Sequence, residues 1–173
     1  MGRNLMDLFS YLLGKKSGGG KNTIIFDNSK TYTNTDGLVS LITGFNDLDF
    51  GERTVLQGFF KNCKNLIVAP FFDMSKMTNI NNLFANCYYL EEVPLYNTSS
   101  ITSMASMFSN CYALNDESLD NILQMCANSS SDYSGTKTLY ALGLRKTYYT
   151  DEKIQSLPHY NDFITAGWST GLE

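Results

Sequence analysis

The sequence predicts an α/β solenoid, a short stack of 24-residue units with parallel strands on one face and short helices on the other. Three observations carry the prediction. The phrase F-x-N-C occurs three times, as FKNC from Phe60, FANC from Phe84 and FSNC from Phe108. The interval from Cys63 to Cys87 equals that from Cys87 to Cys111, and a fixed period of this length is the mark of stacked copies. The agreement also extends beyond the cysteines. Leu66, Leu90 and Leu114 coincide, as do Leu56, Ile80 and Met104, and Phe59, Leu83 and Met107.

The copies run RTVLQGFFKNCKNLIVAP from Arg53, MTNINNLFANCYYLEEVP from Met77 and ITSMASMFSNCYALNDES from Ile101. Within the second, Ile80, Leu83, Phe84 and Cys87 fall at i, i+3, i+4 and i+7, the spacing of one helix face. After Cys87 the pattern Leu90-x-x-Val93-x-Leu95 predicts a short extended segment with those three residues inward. One such unit cannot close a core. Stacking pairs strand with strand and fills the interior with columns of Phe60, Phe84 and Phe108, of Cys63, Cys87 and Cys111, and of Leu66, Leu90 and Leu114. Pro70 and Pro94 agree, whereas Ser118 stands at that place in the third copy, so the repeat breaks there.

The flanks divide the rest. Residues 1–21 hold an amphipathic helix, with Leu5, Leu8, Phe9 and Leu12 on one stripe, followed by the Gly-rich tether KKSGGGK. Residues 22–52, with a β-like TIIF and a helical DGLVSLITGF, are an N-terminal cap, and 53–119 are the repeats. Residues 120–173 are a helical C-terminal cap. Its first helix puts Leu119, Ile122, Leu123 and Cys126 on one face behind an Asn115 or Asp116 N-cap. Two further helical patterns are separated by Tyr148 to Asp151 and broken at Pro158.

Composition narrows the function. With 43% hydrophobic and 13% aromatic residues the chain is globular, and with 17% charged residues and a net charge of −4 it offers no basic field for nucleic acid or an anionic membrane. The N-terminal apolar run is interrupted by Asp7 and Ser10 and does not read as a signal peptide, and no stretch approaches the roughly 18 apolar residues of a membrane span. The cysteines form no CxxC pair and His159 is the single histidine, so metal-ligand spacing is absent and buried thiols without disulfides are expected. GKKSGGGKN fails as a phosphate loop, because Lys15 replaces the first Gly and Asn22 the hydroxyl residue after Lys21. No cofactor, metal or catalytic residue is expected. Asn97 and Asn128 match the glycosylation pattern but are ordinary loop residues in that reading.

The phrases FFKNCKNLIVAPFFDMSKMTNI and NNLFANCYYLEEVPLYNTSSITSMASMF resemble the BspA-like leucine-rich repeats, in which F-x-x-C-x-x-L-x-x-V-P recurs about every 23 to 25 residues. The resemblance covers residues 53–119 and implies a curved leucine-rich-repeat stack. The ending AGWSTG is similar to that of repeat proteins encoded by phages and prophages. It implies a non-enzymatic virion protein of tail, baseplate, fibre or capsid decoration, made in the host cytoplasm. Its N-terminal helix, through Leu5, Leu8, Phe9 and Leu12, would dock to other virion proteins, the alternative being that it folds back onto the domain, and its repeat face would bind a host-surface glycan or protein. The residues expected on that face are Phe72, Tyr88, Tyr89, Glu91, Glu92 and Tyr96, with Ile67 and Val68 beside them; the plain alternative is that some pack on the caps. A homo-oligomer is compatible with this reading. An intracellular interaction module that inhibits a host factor, and a bacterial surface adhesin, are the alternatives.

Overall fold

The computed structural model of the protein describes residues 23–25 and 47–171. Between Leu56 and Cys111 the chain forms no α-helix, and the cause is local. Each copy places two residues, four apart, in the left-handed region: Gly58 and Asn62 (φ 64° and 68°), Asn82 and Asn86 (57° and 65°), Ser106 and Asn110 (54° and 61°). A right-handed helix cannot pass through such residues, and Gly and Asn adopt them at least cost. The backbone therefore splits its donors. The N–H groups of Phe59, Lys61 and Cys63 bond to carbonyls three residues back, while those of Leu56, Gly58, Phe60 and Asn62 reach Asn79, Asn81, Leu83 and Ala85 of the next copy at 2.8–2.9 Å. Ile80, Asn82, Phe84 and Asn86 repeat this towards Ser103, Ala105, Met107 and Ser109. The helix expected in each copy is thus a run of turns, because half of its amides are bonded sideways.

The lateral register is constant. Parallel bridges join Val55 to Asn79, Asn79 to Ser103 and Val68 to Glu92, each pair one full period apart. Strands β1 (Thr23–Ile25) and β2 (Asp47–Asp49) pair in parallel with the same offset, Thr23 opposite Asp47. Asx turns repeat with it. The carboxylates of Asp49 and Asp73 and the amide oxygen of Asn97 accept from the N–H groups of Gly51, Ser75 and Ser99. The ion pair of Lys76 with Glu52 also spans 24 residues. The register therefore runs unbroken across the boundary expected between residues 52 and 53.

Stacked side chains fill the interior. The Phe60 and Phe84 rings lie 5.4 Å apart at 7°, and those of Phe84 and Phe108 6.0 Å apart at 13°. The thiols of Cys87 and Cys111 donate to the carbonyls of Phe60 and Phe84 at 3.2 Å, and Cys63 is buried with them. Leu66, Leu90 and Leu114 are buried as well. In the following segment every third residue points inward: Leu66, Ala69 and Phe72, then Leu90, Val93 and Tyr96. This is the repeat of a three-fold extended chain, for which Pro70 and Pro94 are suited. Leu95, expected inward on strand alternation, is 42% exposed.

Beyond the third copy the backbone partners change. Helix α1 (Asp116–Ala127) starts at Asn115, whose side chain accepts from the Ser118 N–H, and so overlaps the boundary expected at residues 119/120. Where the next strand would stand, side chains substitute for it. The Ser118 hydroxyl donates to the Glu91 carbonyl and accepts from the Val93 N–H, and the Asn121 amide donates to the Val93 carbonyl. Residues 138–144, expected as a helical pattern, form turns that accept from Ser106 and Phe108 through the carbonyls of Ala141 and Leu142. Gly143 (φ 94°) makes this approach possible, since a Cβ there would lie 2.4 Å from Ser109 Oγ. Helices α2 (Asp151–Gln155) and α3 (Tyr160–Thr165) flank Pro158. Helix α3 packs on α1, where Asp120 accepts from the His159 N–H and holds its ring Nδ1 at 2.7 Å.

Candidate functional site: a tyrosine column on an amide ladder

The frame of the site is built from the Asn of F-x-N-C. The Asn86 amide donates to Asn62 Oδ1, and that of Asn110 donates to Asn86 Oδ1, both at 2.7 Å. Each Asn thus has two functions: it bears the left-handed turn and bonds to its equivalent. Two threonines and a serine form a parallel series, with the hydroxyls of Thr78, Thr102 and Ser134 donating to the carbonyls of Thr54, Thr78 and Thr102 at 3.1 Å.

Two residues beyond Asn86 and Asn110 stand Tyr88 and Tyr112, whose rings stack at 5.7 Å and 9°. Tyr148, from the non-repetitive C-terminal part, extends the column and lies 4.4 Å from Tyr112 at 24°. Its neighbour Tyr149 is the anchor. The buried Tyr149 hydroxyl donates to the Cys111 carbonyl and accepts from the Leu114 N–H, and so holds the segment against the third copy. The Tyr112 hydroxyl donates to Asn110 Oδ1 at 2.8 Å, which joins column to ladder. Its acidity is held below that of an ordinary phenol, first by desolvation and then by Tyr148 and Tyr88. Tyr112 and Tyr148 are 39% and 50% exposed. Nearby in sequence, the Arg145 guanidinium sits 4.1 Å above the exposed Tyr140 ring, a cation–π contact.

Stacking decides what this column offers. Rings that cover one another hide their faces, so the exposed parts of Tyr112 and Tyr148 meet solvent chiefly along their edges. Such a row makes apolar contact and hydrogen bonds together, at small cost in side-chain entropy.

The remaining site residues separate into groups. Tyr88 is half-buried, and Tyr89, Glu91 and Glu92 are exposed. Phe72 and Tyr96, expected on the outward face, are 1% and 2% exposed core residues. The three-residue inward repeat turns them in, and the Tyr96 hydroxyl is spent on the Pro70 carbonyl at 2.6 Å. Leu5, Leu8, Phe9 and Leu12 lie outside the described residues. Sequence reasoning missed Tyr112, Tyr148 and the asparagines. The period held the signal for Tyr112 and the asparagines, but nothing in the sequence marked Tyr148.

The thiols of Cys111, beside Tyr112, and of Cys126, on helix α1, are not activated. Burial pushes the Cys111 thiol up to about 12 and raises that of Cys126 further. Among the described residues the cysteines form no disulfide, no cluster of three or more His, Cys, Asp and Glu could hold a metal ion, and no helix is long and apolar enough to cross a membrane.

Residues 54–134 match the family described as Mycoplasma protein of unknown function, DUF285. The matched stretch contains all three F-x-N-C phrases, helix α1, Tyr88 and Tyr112, and it ends before Tyr140, Arg145 and Tyr148. No curated protein and no solved structure matches the chain.

Proposed function

We propose that the chain is a non-enzymatic recognition protein, a short leucine-rich-repeat solenoid that presents the Tyr88, Tyr112 and Tyr148 column to a partner. The observation that carries this reading is a stacked, solvent-facing aromatic row fixed to a hydrogen-bonded frame. Side chains already ordered lose little entropy on binding, so the row is preorganised for contact. The partner is a host-surface glycan or protein, with weak single contacts multiplied when many copies act together.

The finer placement is a phage particle, in its tail, baseplate, fibre or capsid decoration, with residues 1–20 docked to other virion proteins. Its support is the KKSGGGK tether behind the Leu5, Leu8, Phe9 and Leu12 stripe and the AGWSTG ending. A second reading, a repeat protein of the cell itself acting as a surface adhesin, is favoured by the Mycoplasma description of the matching family. Mass spectrometry of purified particles separates the two: the chain travels with the particles in the first and is absent from them in the second. The recognition role is tested by measuring attachment of the purified protein to host cells and to arrayed glycans. Tyr112→Ala and Tyr148→Ala should abolish attachment with folding retained, and unchanged attachment in both would refute the role of the column.

A further inference from the structure

Away from the tyrosines, a second surface is apolar and open. Ile67, Val68, Phe71 and Leu95 are 52%, 51%, 65% and 42% exposed. Register sets Ile67 and Val68 beside Glu91 and Glu92, and Phe71 beside Leu95 further along the same two segments. Val68 bridges Glu92, the Glu91 N–H donates to the Ile67 carbonyl at 2.8 Å, and Phe71 and Leu95 stand at equivalent positions of successive copies. The exposed Phe71 ring stacks on Tyr96 at 6.2 Å, which fixes it in place. Beside this row the carboxylates of Glu91 and Glu92 face solvent, and neither is in an ion pair with a described residue. An apolar row rimmed by acid suits an apolar stripe with cationic ends.

The chain contains such a segment. In RNLMDLFSYLLGKK, residues 3–16, Leu5, Leu8, Phe9 and Leu12 recur at helical spacing, with Arg3 at one end and Lys15 and Lys16 at the other. The place where this segment joins the described structure points to the same surface. Thr23 pairs with Asp47, and Asp47 precedes Phe71 by one period, so the chain enters in the column that carries Phe71 and Leu95. One strand spacing, about 5 Å, separates Thr23 from Asp47, and Phe71 stands one period further along the chain. Residues 17–22 span up to about 20 Å when extended. A tethered segment also has an effective concentration in the millimolar range, which favours it over a second copy in dilute solution.

We infer that the surface formed by Ile67, Val68, Phe71 and Leu95 is the seat of the chain's own N-terminal segment, with Leu5, Leu8, Phe9 and Leu12 on the apolar row and the cationic ends against Glu91 and Glu92. The seat uses none of the tyrosine column. It competes with any docking of the same stripe to another protein, so a particle partner would have to displace the segment from its own fold.

The experiment uses the full chain with Phe9→p-benzoylphenylalanine, a photo-crosslinking residue, irradiated at low protein concentration. The product is separated by size, digested and mapped by mass spectrometry. Crosslinks within the monomer, to peptides holding Ile67 to Phe71 or Leu95, are the expected result. Phe71→Asp should abolish them, Glu91→Lys with Glu92→Lys should diminish them, and Tyr112→Ala should leave them unchanged. Phe71, Glu91 and Glu92 are exposed, and a cooperative thermal transition will show that each variant folds. Monomer crosslinks to other peptides, crosslinks found only in covalent dimers, or none at all would each overturn the inference. The tyrosine variants report on recognition separately, so either reading can fail alone.

Discussion

Asn86 combines a left-handed backbone with two amide–amide bonds, and its substitutions separate these contributions. Asn86→Ala deletes the bond donated to Asn62 and the one accepted from Asn110, each 2.7 Å long. At about 1 kcal/mol net for each bond, this costs about 2 kcal/mol. Alanine at φ 65° adds about 1 kcal/mol of left-handed strain that asparagine largely escapes, for a total of about 3 kcal/mol. Asn86→Gly loses the same bonds and relieves the strain, so it should be about 1 kcal/mol more stable than the alanine variant. For a chain of this length that is a difference of about 2 to 4 °C in melting temperature. Urea and thermal unfolding of the three proteins will measure it. Equal stability of the two variants, or a less stable glycine variant, would refute the assignment of Asn86 to a strained ladder position.

Four further outcomes follow from the packing. Gly143→Ala should destabilise by more than about 3 kcal/mol, because its Cβ would meet Ser109 backbone and side chain at 2.4–2.5 Å, whereas Gly167→Ala, with open space around it, should cost only about 1 kcal/mol; thermal unfolding distinguishes them. Tyr149→Phe leaves the Cys111 carbonyl and the Leu114 N–H without their buried hydroxyl partner and should cost about 2 to 3 kcal/mol in urea unfolding. Cys111 and Cys126 should resist an aromatic disulfide reagent at pH 8 until the chain unfolds, since a thiol pushed up to about 12 is ionised in only about one molecule in ten thousand there; rapid labelling of the native protein would contradict this. Alkali should unfold the chain. Burial raises Cys111 from 9.0 and Tyr133 from 10.0, each to about 12, so the folded state holds protons that the unfolded state releases; the stability these two groups contribute declines from about pH 9 towards pH 12, as circular dichroism against alkaline pH will show.

The sequence carried the spacing of the copies and left their conformation open. Cys63, Cys87 and Cys111 set the offset that the hydrogen bonds between neighbours also follow. Apolar residues at i, i+3, i+4 and i+7 suit a helix, but they suit equally a series of turns closed by three-residue bonds, and only the backbone angles at Gly58, Asn62 and their equivalents separate the two. The asparagine of F-x-N-C is as regular as the cysteine beside it, yet a half-buried amide reads as a polar loop residue until its partner is known. Phe72 and Tyr96 are misplaced by an alternation of two where the chain repeats by three. The contacts of Tyr148 with Tyr112 and of His159 with Asp120 cross long stretches of non-repetitive chain, with no periodic signal to reveal them.

The sideways backbone register underlies the tyrosine column, the amide ladder and the seat proposed for the N-terminus. Scalar couplings through hydrogen bonds, observed by nuclear magnetic resonance, read that register directly. The Phe60 amide nitrogen should couple to the carbonyl carbon of Leu83, and that of Phe84 to the carbonyl carbon of Met107. Coupling of these amides to carbonyls four residues back would make each copy a helix and contradict the account.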